Sequence, residues 1–303
     1  MAFTAADVKN LREMTGVGMM DCKKALTETD GDMDKAVEYL REKGLAKAAK
    51  KAGRIAAEGV SYALVENGVG ALVEVNCETD FCAKSAPFVA FVKDIAKVVA
   101  DNDPADVDTL MNCKYPGTEL TVSETMPEKV MSIGENLQIR RFVRFAENTS
   151  VGYVHAGGKI GVLVNLAVEG GVDATEIGKN VAMQIAALNP RFWDKSQVGQ
   201  DVLDEEKKIM MVQMENDPKM ASKPEAVREK IVMGKLNKFY SENCLLQQEF
   251  VKNGDQTVEQ YIASAAKALG GTVTFKDAVR FEKGEGIEKK QENFAEEIAK
   301  LAK

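Results

Sequence analysis

Apolar side chains recur along this chain with two periods, and the points where the period changes divide it. Residues 4–15 open with Thr4 and Asp7 in a T-x-x-D capping arrangement, set Val8, Leu11 and Met14 on one helical face, and stop at Gly16. A second helix is predicted through MMDCKKALTE, with Met19, Cys22, Ala25 and Leu26 as its stripe. A third follows the acidic turn TDGD and carries Met33, Ala36, Val37 and Leu40 up to Gly44 as its C-cap. The basic stretch KGLAKAAKKAGR then holds five positive charges between Lys43 and Arg54 and no acid, and reads as a solvated linker.

From Gly59 the period drops to two. VSYALVENGVGALVEVN gives two β-rich segments joined through Asn67-Gly68, a strong hairpin signal. Ser85-Ala86-Pro87 then supplies a helix start, after which Phe88, Phe91, Val92, Ile95 and Val98 or Val99 recur at helical spacing. A variable stretch leads to about Asn136, and LQIRRFVRFAE alternates as a strand. The same order then returns: a hairpin at VGYVHAGGKIGVLVNLAV, a helix in DATEIGKNVAMQIAAL, and later a helix in TVEQYIASAAKALG and a strand in VTFKDAVRFEKG. FVRF at Phe142–Phe145 and AVRF at Ala278–Phe281 close the two units alike, which predicts an α+β protein with two related halves and antiparallel sheets.

Between the first helix of that second unit and its last elements lies an interruption, residues 197–253. DVLDEEKKIMMVQM and PEAVREKIVMGKLNKFY are amphipathic and flank Pro218 and Pro224, so an inserted helical hairpin is predicted. Its stripes, Val202, Ile209, Val212 or Gln213, then Val227, Ile231 and Phe239, either seal the hairpin or also leave a face for a second copy of the chain. The tail from Gly286 predicts a charged C-terminal helix carrying Ile287, Phe294, Ile298 and Leu301. The expected organisation is a three-helix module with linker (1–54), a first core half (55–147), a second core half (148–196 and 254–282), the hairpin (197–253) and a C-terminal module (283–303).

Composition narrows the chemistry. The 303 residues exceed a usual single core, and 45% hydrophobic with 29% charged residues is ordinary globular usage. A net charge of −7 disfavours a general polyanion binder. The N-terminal residues lack the basic-then-apolar order of a signal peptide, and the longest apolar run, Ile160–Val168, is too short to cross a bilayer. Five scattered cysteines fit a reducing compartment, so a cytosolic protein is expected.

A single histidine, His155, excludes sites that need two imidazoles. Cys77 and Cys82 lack a second cysteine pair or a nearby His to close a zinc site, and read as two buried thiols. No phosphate-binding loop or nucleophile elbow is present. Binding is therefore favoured over catalysis, with no metal and no cofactor of its own. A Cys-dependent enzyme and an RNA-binding accessory protein using Lys43–Arg54 remain as rivals, the latter weakened by the absence of stacking aromatics.

The loop NCETDFCAKSAP follows the first hairpin. Phe81, beside the turn residues Thr79 and Asp80, is either a plug in the local core or an exposed wedge, and composition alone favours the plug. TGVGMMDCKKAL, the N-x-x-T-D-F-x-A-K run at Asn76–Lys84, HAGGKIGVLV and VRFEKGEGIEKK, in this order over essentially the whole chain, closely resemble the bacterial elongation factor Ts family. That resemblance implies a guanine-nucleotide exchange factor for elongation factor Tu. It implies a ubiquitin-associated-like N-terminal module whose Arg12, Met19 and Met20 contact the partner's GTPase domain. It further implies a turn of Thr79, Asp80, Phe81 and Cys82 that reaches the partner's Mg²⁺ and phosphates, with His155 as a further contact. The inserted hairpin would serve dimerisation, and direct binding of nucleic acid or membrane is not expected. Cys82 stands where the family pattern leads one to expect an aliphatic residue.

Overall fold

The computed structural model describes residues 3–288; the expected C-terminal helix falls mainly on residues 289–303, outside them. Internal contacts divide the chain into two compact units. The first takes the residues up to Arg144, Val154–Gly161 and the described residues from Phe281; the second takes Phe145–Tyr153 and Val162–Arg280.

The first unit begins with α1 (Ala5–Thr15), α2 (Met19–Glu28) and α3 (Met33–Lys51). Thr4 and Asp7 form the expected capping box, and Gly16, at φ 67°, closes α1. Val8, Leu11, Val17, Cys22, Ala25, Leu26, Ala36 and Leu40 make the core of this module. Two expectations fail here. Met14 is 59% exposed rather than inward, at the rim of a cavity it lines with Val37 and Leu40 of α3. Gly44 does not cap α3, which continues through it to Lys51. A Cβ at Gly44 would lie 3.3 Å from the carbonyl oxygen of Pro127, so the glycine allows a close helix–helix approach. The basic stretch is thus mostly the last turns of a long helix.

After α3 come β1 (Glu58–Glu66) and β2 (Val69–Cys77), antiparallel from Glu58 opposite Cys77 to Glu66 opposite Val69. Asn67 and Gly68 both have positive φ, 51° and 81°, as a tight hairpin turn demands. The chain continues through α4 (Asp80–Lys84), α5 (Ala86–Asn102), α6 (Val107–Met111), α7 (Val122–Ile133) and β3 (Gln138–Phe145). The sheet order is β1-β2-β3. Phe88, Phe91, Val92, Ile95 and Val99 of α5 share one buried cluster with Val60, Val73 and Val75. Each such ring or branched chain contributes about 1.5–3 kcal/mol on full burial.

The stretch read as variable contains α7, announced by a T-x-x-E box in which Thr121 and Glu124 cap each other. Beneath the sheet, Glu74 on β2 is fully buried. It accepts from Arg140 Nη1 (2.9 Å), Arg141 Nε (2.6 Å), Gly284 N (2.8 Å) and Asn76 Nδ2 (3.2 Å), so its charge is compensated on every side.

The second unit is built on β4 (Thr149–His155), β5 (Ile160–Glu169), α8 (Thr175–Leu188), α9 (Gln200–Glu215), α10 (Pro218–Ala221), α11 (Glu225–Asn243), β6 (Glu249–Phe250), β7 (Asn253–Thr257), α12 (Val258–Ala268) and β8 (Thr272–Glu282). Its main sheet has the order β4-β5-β8, the ends of these strands lying outside the unit. The mixture of helices and small sheets is the expected α+β class. No helix among the described residues is long and apolar enough to cross a membrane.

The helical insertion is α9 to α11, and its stripe is partly out of phase with expectation. Met210, Met214, Val232, Leu236 and Phe239 seal the hairpin, with Val202 and Ile231 packed against them. Ile209, Val212 and Val227 point outward at 40–49% exposure. The hairpin also ends earlier than residue 253, because Phe250 of β6 is buried and stacks on Tyr261 of α12 at 4.1 Å.

Candidate functional site

At the end of β2 the chain must pass from a buried strand to α5, whose first buried residue is Phe88, within about ten residues. It does so through one turn of helix, α4, where a loop was expected. Thr79 caps it, its Oγ1 accepting from Cys82 N at 3.2 Å. Cys82 and Ala83 face the core of the first unit. Asp80 reaches along the surface to Lys84 at 2.7 Å, and this hydrogen bond holds the Asp80 carboxyl below its ordinary value.

With Cys82 and Ala83 turned inward, Phe81 points the other way. Its side chain is 83% exposed, the most exposed large apolar residue among those described. The plug reading, favoured by composition, is therefore wrong: one helical turn cannot bury positions 81, 82 and 83 together, and the smaller pair fits the core. An outward phenylalanine stabilises nothing in its own fold, which leaves its apolar face available to another surface.

The turn is held from outside by residues distant in sequence. Glu135, just after Gly134 caps α7, accepts from Glu78 N (2.9 Å) and Thr79 N (3.0 Å) on one oxygen and from Thr79 Oγ1 (2.6 Å) on the other. Glu78 in turn accepts from Asn136 N at 2.7 Å and pairs with Arg54 at 3.3 Å. Asn136 Nδ2 donates to Arg54 O at 2.8 Å, and Lys51 Nζ to Gly134 O.

A family profile described as Elongation factor TS matches residues 78–285, beginning at this turn. Proteins named Elongation factor Ts from Clostridium botulinum and Clostridium kluyveri are each 50% identical to the chain, over 302 and 303 residues. One from Clostridium perfringens is 49% identical over 303 residues. Each alignment covers 98% of this chain and 98% of the relative. The chain belongs to the elongation factor Ts family.

As a member of that family it is an elongation factor of protein biosynthesis. The other residues expected to matter lie on different elements from the turn. Arg12 is exposed in the last turn of α1. Met19 (42%) and Met20 (75%) open α2, so neither is sealed in its own module, and Met14 adds a third exposed methionine nearby in sequence. Flexible thioethers of this kind adapt to irregular apolar surfaces. His155 ends β4 and is exposed. The bonds that hold the turn come instead from Arg54, Glu135 and Asn136. Sequence reasoning missed these three. The available signal was the Gly-Glu-Asn turn after a capped amphipathic helix.

Cys77, Cys82 and Glu135 have potential ligand atoms within 4.8 Å of one another, a grouping the cysteine spacing could not reveal. Both oxygens of Glu135 already accept hydrogen bonds from the turn, so holding a cation there would cost the turn its anchor. Cys77 donates to Thr79 O at 3.2 Å. The Cys82 thiol beside it, burial, and the nearby Glu135 charge push the Cys77 thiol up, which keeps it protonated and inert at neutral pH.

Proposed function

We propose that this chain is a guanine-nucleotide exchange factor, which binds elongation factor Tu in its GDP form and promotes GDP release during translation elongation. Membership of the elongation factor Ts family supports partner and process. The observation that carries the reading to residues is Phe81, exposed on a turn anchored by Glu135 and capped by Thr79.

A GTPase grips its nucleotide through backbone amides, a lysine and a Mg²⁺ that bridges phosphates. A factor opens that grip only by binding the loosened state more tightly than the intact one. In this reading Phe81 enters the partner beside the Mg²⁺ and phosphate region, with Thr79, Asp80 and Cys82 shaping the surface around it. Burying the ring contributes about 1.5–3 kcal/mol, or roughly ten- to hundredfold in the coupling between factor and nucleotide. Arg12, Met19 and Met20, on a module of ubiquitin-associated type, dock on the GTPase domain, and His155 adds a further contact. The chemistry is differential binding, with no bond made or broken by the chain.

The basic stretch supports protein binding over an RNA reading. Lys47 pairs with Asp21 at 2.9 Å, Lys51 bonds Gly134 O and Arg54 holds Glu78, so three of its five cations already serve the fold.

Elongation factor Tu loaded with a fluorescent GDP and chased with excess GDP tests the proposal. Catalytic amounts of this chain are expected to speed loss of the label many-fold. Release at the spontaneous rate over all concentrations of the chain would contradict the function.

A further inference from the structure

The exchange reading names the residues that touch the partner but leaves open what keeps an apolar ring aimed into water. Left to itself, a five-residue helix is unstable, since nucleation costs more than one turn returns. An exposed phenylalanine gains by folding back on the nearest apolar surface. Something else must fix the backbone at Glu78 and Thr79.

We infer that Glu135 is the positioning residue of the exchange reaction, clamping the Thr79 turn so that Phe81 is presented outward before any partner arrives. This rests on the exchange function proposed above. One carboxylate takes both consecutive amides of the turn and the hydroxyl of the capping threonine. Hydrogen bonds to an ionised acceptor are about twice as strong as neutral ones. The clamp has a second jaw: Glu78 is held by Asn136 N and Arg54, and Arg54 O by Asn136 Nδ2. Lys51 ties the end of α3 to the Gly134 carbonyl, directly before Glu135. The basic stretch after the N-terminal module is therefore part of the frame that aims Phe81.

Glutamate suits this task better than its neighbours in chemistry. Aspartate is one carbon shorter than the span between the α7 cap and the turn. Glutamine can still accept the two amides on its oxygen, but without the charge, and its NH₂ cannot accept the Thr79 hydroxyl proton that the carboxylate takes. Removing the carboxylate leaves two amides to water and frees the turn, while the core face of α4, Cys82 and Ala83, stays buried.

The test uses the full-length chain with Glu135→Ala, Glu135→Gln and Phe81→Ala, each alone, and Glu135→Ala combined with Phe81→Ala. Single-turnover release of a fluorescent GDP from elongation factor Tu is read against factor concentration, alongside amide hydrogen exchange and thermal melting. A ring misplaced by about 1 Å loses of the order of a hundredfold in rate. The maximal release rate for Glu135→Ala is thus expected to fall by about ten- to hundredfold, with half-saturation little changed and Glu135→Gln in between. Protection of the Glu78 and Thr79 amides should drop most in Glu135→Ala, less in Glu135→Gln, where neutral acceptors replace charged ones, and persist in Phe81→Ala.

The double variant discriminates aiming from mere support. If Glu135 acts through the ring, its loss adds nothing once the ring is gone, whereas a general structural defect adds in full. Additive losses, or a Glu135→Ala protein that melts as wild type and releases GDP at the wild-type rate while Phe81→Ala is slow, would overturn the positioning role alone. A fast Phe81→Ala protein would instead sink the function assigned to the ring, and the positioning role with it. Should Glu135→Ala fold poorly, Glu135→Gln decides by the same criteria.

Discussion

The two three-stranded sheets of this protein share a plan and differ at the junction that follows the central strand. Each has a central strand, β2 or β5, flanked by its hairpin partner and by a strand from much later in sequence, and each central strand leads to a long helix, α5 or α8. Between β5 and α8 the chain turns through Gly170 and Gly171, both at positive φ, and the helix starts at Thr175 with Ala174 as a cap that offers no side-chain bond, while the Asp173 carboxylate ahead of it accepts from Thr175 N at 2.9 Å. Between β2 and α5 the corresponding turn is a capped helix of its own, anchored by Glu135 and carrying Phe81. The central strands differ in the same sense. β5 buries a neutral Asn165, which donates to Glu147 O at 2.8 Å, while β2 buries Glu74 among two arginines and the Gly284 amide. On the proposed function, the lesson is that the frame can be repeated cheaply, while exchange is added by decorating one strand–helix junction and stiffening what lies under it.

That contrast can be broken most severely at Glu74. Glu74→Ala leaves Arg140 without its carboxylate and Arg141 with Glu285 alone, and urea unfolding is expected to show a loss of about 3 kcal/mol, the low end for a broken buried pair because both guanidiniums are partly solvated. At the corresponding strand, Asn165→Ala removes one neutral hydrogen bond and should cost only about 1 kcal/mol. Equal costs would erase the difference between the two sheets.

The thiols sharpen the picture through pH. Burial holds Cys244 up to about 11, and the Cys82 contact and burial raise Cys77 further, against an ordinary value of 9.0. Folded-state values above the unfolded ones mean that the stabilisation is complete below pH 9.0 and lost as pH rises through the folded values. Stability should therefore be flat with respect to these groups at neutral pH and decline from about pH 9 to 11, less steeply in Cys244→Ala. A decline of unchanged slope in that variant would deny Cys244 its part. The smallest effect is expected at the undecorated junction: Asp173→Ala should leave nucleotide release within about twofold of wild type, since it removes only a local turn hydrogen bond to Thr175 N, worth about 1 kcal/mol.

Much of the frame was legible because it is local. Asn67-Gly68 specifies its hairpin through two left-handed residues, and Thr4 with Asp7 specifies a helix start three residues apart. What failed needed a partner. Gly44 has the chemistry of a cap, and only the Pro127 carbonyl reveals that it is a contact point inside α3. The phase of the α9–α11 stripe depends on how the two helices face each other, which periodicity alone leaves uncertain by one position. Phe81 was readable as an oddity beside Thr79 and Asp80, yet its direction follows from Cys82 and Ala83 entering the core. The Gly-Glu-Asn turn marked Glu135 as a position after a helix cap, but its role was hidden because its hydrogen bonds reach 56 and 57 residues back along the chain, and no local pattern carries such a pairing.

The most direct test is single-turnover release of a fluorescent GDP from elongation factor Tu at saturating factor, comparing the wild-type chain with Phe81→Ala. The ring's burial predicts a maximal rate lower by about ten- to hundredfold, with the variant's melting temperature unchanged because an exposed side chain contributes nothing to its own core. A Phe81→Ala protein that drives release as fast as wild type would contradict the assignment of the exchange function to this turn.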